Sequence, residues 1–165
     1  MLLLRLSPVL FVLLVTEASP PACLGQRAPT KTEIDNDPFM QASYVRHKPF
    51  VDQYKPALRS RQKITNRFDS AQRDYLLTYQ VGADRFVFYQ TPDKTFILSF
   101  ACSTPRVTFA HGVQVGMSQA AFERVFHRKI DGTVATVGDT EAFAVYTFTF
   151  RQHALARIDY ECQMD

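Results

Sequence analysis

The sequence predicts an α+β domain: an antiparallel β-sheet with one main helix, residues 118–129, packed on one face. Three observations predict it. Behind Ser118, a residue suited to capping a first turn, Ala121, Phe122, Val125 and Phe126 make one apolar stripe at helical spacing. Phe86 and Phe88 alternate with Arg85, Val87 and Tyr89, the period of a half-buried strand. Two more strand-like runs, 143–150 and 154–162, flank Arg151-Gln152-His153 as a hairpin. A striped helix and a one-faced sheet must bury each other, so the two belong to one core.

Residues 1–22 read as a signal segment. Met1 to Val15 is apolar except for Arg5, too short to span a bilayer, and small residues and prolines follow. Cleavage would suit Thr16-Glu17-Ala18 or Cys23-Leu24-Gly25. Pro21-Ala22-Cys23 also has the outline of a lipoprotein box, which makes Cys23 a lipidation candidate. Either alternative sends the chain to the periplasm or outside the cell; acylation would also anchor it to a membrane.

Residues 23–38 read as a polar linker with hardly any large apolar side chain. Residues 39–73 are a basic segment, partly helical. From residue 46 to residue 73 eight bases (Arg46, Lys48, Lys55, Arg59, Arg61, Lys63, Arg67 and Arg73) face two acids, Asp52 and Asp69, a local net of +6 against +3 for the chain. From Val113 onward seven acids outnumber five bases. Such segregation favours an acidic partner or an anionic surface for the basic segment, and a solvated face explains it as well. Nucleic acid is a poor fit for an exported chain. Phe39, Tyr44, Phe50 and Tyr54 would make either a sticky surface or the segment's own packing.

The α+β domain spans 74–165. Strands are expected at 75–81, 85–91 and 95–102, with turns at Gly82-Ala83-Asp84 and Pro92-Asp93-Lys94, and Val107-Thr108-Phe109 pairing briefly. In the third strand Phe96, Leu98, Phe100 and Cys102 share a face. Met117 and Phe122 have the spacing of a hydrophobic staple around the cap, and His127, Arg128 and Lys129 put positive charge in the last turn before Asp131-Gly132. A short strand at 133–137 precedes the hairpin, whose Tyr146, Phe148 and Phe150 should cover the helix.

Cys102 and Cys162 each end an apolar strand face. In an oxidising compartment, with Cys23 acylated or cleaved off, they are left to pair as a disulfide or to stay buried thiols. Closing a loop of about 60 residues is worth roughly 4 kcal/mol.

Little here points to chemistry. His47, His111, His127 and His153 lack metal-ligand spacing, and no cofactor is expected. Cys102 with His111, or Asp159 with Glu161 on one strand face, are the only groups on which a small hydrolase could be built. Ser118 lacks a nucleophile elbow and reads as a cap.

The run Val113-Gln114-Val115-Gly116-Met117-Ser118, followed by Phe122 and Phe126, resembles the I-x-x-G-M-S/T lead-in of small bacterial envelope lipoproteins. Tyr146-Thr147-Phe148 and Leu155 to Tyr160 look like the hairpin that follows it, and residues 112–162 are similar to proteins of β-lactamase-inhibitor-protein-like fold. The resemblance implies an antiparallel sheet on helices, and protein–protein contact in place of catalysis. The expectation is thus an exported or lipid-anchored, non-enzymatic protein-binding module of the cell envelope. Its alternatives are a secreted inhibitor inserting Pro92–Lys94 or Arg151–His153 into an enzyme's cleft, and the small hydrolase.

Overall fold

The computed structural model describes residues 30–66, 68–141 and 143–162. The expectations for the leader 1–22, Cys23 and Arg67 lie outside them. Along the chain run β1 (Lys31–Asp35), α1 (Asp37–Ala42), α2 (His47–Tyr54), β2 (Ala57–Thr65), β3 (Arg73–Val81), β4 (Asp84–Gln90), β5 (Thr95–Cys102), α3 (Gln119–Phe126), β6 (Val134–Gly138), β7 (Ala144–Arg151) and β8 (Ala154–Cys162). The strands form one eight-stranded sheet in the order β1-β6-β7-β8-β5-β4-β3-β2. Two strand runs, β2–β5 and β6–β8, meet where β5 pairs with β8. Every pairing is antiparallel except β1 with β6, so the sheet is mixed.

Cross-strand partners share a face. One row crosses all eight strands as Leu58, Tyr79, Phe86, Phe100, Tyr160, Tyr146, Val137 and Ile34. This is the core face, and all three α-helices of the described residues lie on it. Phe39 of α1 meets Phe126, Tyr146 and Phe148; Phe50 of α2 meets Phe86 and Phe88; Phe122 of α3 meets Phe148 and Phe150. Burying one such ring is worth about 1.5–3 kcal/mol, so the aromatic layer dominates stability.

The helix after Ser118 is capped as its sequence predicts, Ser118 Oγ accepting from the Ala121 amide at 3.2 Å. It ends at Phe126, not Lys129, because His127 takes the left-handed conformation (φ 49°) and closes the last turn on Glu123. Arg128 and Lys129 belong to the following loop, which Ile130 pins: its amide donates to Glu123 Oε1 at 3.0 Å, and its side chain is buried. Nor is this the one main helix, since α2 is equally long.

The linker reading fails over 31–38. Lys31 to Asp35 pairs in parallel with Val134 to Gly138, and Asn36 then caps α1, accepting from the Phe39 amide at 2.9 Å. A five-residue edge strand needs only Ile34 to face the core, too little for a periodic signal. In the basic segment the helical expectation covers only α1 and α2; β2 is a strand, and 107–109 is not. In β5 the ladder passes from Ser99 directly to Ile97 opposite Val87 and Phe88, so Leu98 is bulged out. The buried set is Ile97, Phe100 and Cys102, and the expected face of Phe96, Leu98, Phe100 and Cys102 is broken in the middle.

The register also separates the two cysteines. Cys102 stands opposite Ile158, and Cys162 lies four residues further along β8. At roughly 3.3 Å per residue that is about 13 Å, beyond the ~7 Å Cα limit of a disulfide. They share a face, as their strand phases indicated, but both are free thiols.

Candidate functional site

The opposite face of the sheet has no helix on it among the described residues. Its rows are also continuous across eight strands. One reads Ala57, Gln80, Arg85, Ala101, Asp159, Thr147, Thr136 and Glu33; the next reads Ser60, Thr78, Val87, Ser99, Glu161, Val145, Gly138 and Asp35. On the central strands small and hydroxylated side chains, Ala101, Ser99 and Thr147, alternate with charged ones, Arg85, Asp159 and Glu161. Val87 and Thr136 are nevertheless buried, screened by their neighbours.

Two structured clusters stand on this face. Arg157 grips Asp159 in a two-pronged pair, Nε to Oδ2 and Nη2 to Oδ1 both at 2.7 Å. Beside it, Arg85, Val87, Ser99, Ala101 and Glu161 outline a shallow hollow of about 220 Å³. Towards β2, Tyr89 stacks on Phe96 with ring centres 5.1 Å apart and donates its hydroxyl to Asp74 Oδ2 at 2.6 Å. Asp74 also accepts from Gln72 and Asn66, and is wholly buried. The Tyr89 hydrogen bond, more than the other two, holds the Asp74 carboxyl below its ordinary range.

Neither a family model, nor a curated protein, nor a solved structure matches this chain.

The basic residues do not form one patch. Arg59, Arg61 and Lys63 lie together on β2. Lys48 is paired with Asp52 at 2.7 Å across one helical turn, and both side chains are exposed. Arg46 precedes α2, and Lys55 closes it in the left-handed conformation. His47 bonds the Tyr79 hydroxyl at 3.0 Å, and its burial lowers the imidazole pKa. Phe39 and Phe50 belong to the core; Tyr44 stays exposed.

Two of the groups on which a hydrolase could be built, Cys102 and Asp159, are otherwise engaged. Burial, then the charge of Asp84, pushes the Cys102 thiol far up, away from a reactive thiolate. His111 sits in a turn with φ 56°. Asp159 is held by Arg157, and Ser118 is a cap. Among the described residues no three His, Cys, Asp or Glu side chains gather as a metal site.

A wider cleft, about 860 Å³, opens between the end of α1, the β6–β7 loop and the end of β8. Tyr44, Phe143, Tyr160 and Cys162 line it, with Arg46 at its edge. The alternation of β7 and β8 already marks Thr147, Thr149, Arg157 and Asp159 as outward. That no layer of the described residues covers them is a tertiary fact with no local signal.

Proposed function

We propose that this chain is an exported, non-enzymatic protein-binding module of the cell envelope that engages its partner through the uncovered face of the sheet. One observation carries the reading: among the described residues helices cover the eight strands on one face only, and the other carries fixed side chains, the Arg157–Asp159 pair and the Tyr89–Phe96 stack, on a rigid frame. Non-obligate interfaces are no more apolar than other surface, so a face that mixes small, hydroxylated and charged side chains is compatible with one. The apolar leader supports export, and the resemblance over residues 112–162 supports contact over catalysis. The inhibitor alternative has less to rest on. Arg151–His153 is held at its base by Gln119 N donating to His153 O and Leu155 N to Met117 O, both at 2.8 Å, and it is a short turn that projects little beyond the sheet end.

The test is capture from envelope extract by the wild-type chain and by the open-face variants Thr147→Arg and Ala101→Arg. Retained fold with loss of a discrete captured protein is expected. Equal capture by all three would refute the open face as the docking surface.

A further inference from the structure

We infer that β2 is a docking edge that takes an extended, acidic segment of a partner protein as a ninth strand. The inference rests on the protein-binding reading but concerns a different surface, the sheet's edge and not its open face.

The two edges of the sheet are unlike. β1 is five residues long; β2 has nine, all exposed but Ile64. On one side β2 pairs with β3, and among the described residues nothing pairs with the other. Its outer N–H and C=O groups are therefore a template for another strand. The ladder is bulged between Leu58 and Ser60, leaving Ser60 to Thr65 in regular register with Thr78 to Arg73. A regular stretch, not a twisted one, suits strand addition.

Charge says what would fit. From residue 55 to residue 65 there are four bases, Lys55, Arg59, Arg61 and Lys63, and no acid. Arg59 bonds the neutral amide of Gln80 at 2.7 Å; Arg61 lies 3.9 Å over the Tyr75 ring and 3.3 Å from Gln90 Oε1. Among the described residues no ion pair involves these side chains. Arg61 and Lys63 are two apart on one strand and so project on one face, over Leu77 and Tyr75. An incoming strand with carboxylates at alternate positions would meet both.

A second copy is the wrong occupant. Antiparallel self-pairing centred on Arg61 sets it against its own copy, and centred on Gln62 sets it against Lys63; both place like charges opposite. Charge on an edge ordinarily deters association. Here it deters self-association while leaving an acidic strand favoured.

The test uses the exported chain and a nine-residue peptide alternating Glu with Val and Thr, beside a Lys-for-Glu version and a version N-methylated on alternate amides. The expected result is binding of the acidic peptide alone, slowed amide exchange at 57–65, and binding weakened about fivefold by Arg61→Ala with Lys63→Ala. Binding that survives N-methylation would mean a charge patch and no added strand, and overturns the proposal. So does an absence of peptide binding, whether or not the chain is taken up onto phosphatidylglycerol vesicles through Arg61 and Lys63, or a dimer joined at β2. Peptide binding should persist in Thr147→Arg, so the open face and the edge fail independently.

Discussion

β7 and β2 are strands of nearly equal length held in the sheet by different means. β7 alternates buried and half-buried residues along most of its length and sets Tyr146, Phe148 and Phe150 into the aromatic layer. β2 buries almost nothing and is held by main-chain pairing to β3, with Arg59 and Arg61 leaning back onto its neighbours. One strand is specified by what it covers, the other by what it pairs with. Only the second kind leaves a polar edge free to act.

The sharpest way to break this comparison is to truncate both strands. Phe148→Ala removes a ring touching Phe39, Phe122 and Phe126, and should cost about 3–5 kcal/mol in urea unfolding. Gln62→Ala should stay within about 0.5 kcal/mol. A comparable loss at both sites would mean that β2 packs as β7 does. The opposite edge should behave unlike β2. A Cβ at Gly132 would stand 2.1 Å from the Thr30 carbonyl oxygen, so Gly132→Ala must displace β1, at about 1–3 kcal/mol by the same measurement.

Smaller effects sharpen the picture. Ser118→Ala removes one of the two acceptors of the Ala121 amide, leaving the Ser118 carbonyl at 3.0 Å, and should cost about 0.5–1 kcal/mol, read as an earlier thermal midpoint. Asp74 tests the β2–β4 end through pH. Its folded carboxyl titrates below the unfolded value, so its contribution is present above about pH 4 and is lost as pH falls through the folded value. Unfolding midpoints from neutral to acid pH should fall less steeply in Asp74→Asn. The least effect is expected from reductant. With Cys102 and Cys162 four residues out of register, it should leave the midpoint unchanged, and native Cys102 should resist alkylation. A reductant-dependent drop would restore the cross-link.

Much of the domain was legible in the residues themselves. The β7–β8 hairpin, the strands β3 and β4 and the capped start of α3 carry local signals: alternation, an apolar stripe, a serine with an amide to accept. The basic character of Arg59, Arg61 and Lys63 was legible too, though their place on a strand was not, because β2 has no buried periodicity to read. β1 was invisible for a related reason, since one isoleucine in five residues sets no pattern.

By itself the sequence determined which residues seek the interior and where the turns fall, because those depend on neighbours within a few positions. Tertiary structure alone decided that Lys31 lies beside Val134 across about a hundred residues of chain, that Leu98 bulges, that Cys102 faces Ile158, and that among the described residues one sheet face and one edge stay bare. Register and layer order follow from how whole surfaces fit together. No single stretch of chain contains that information.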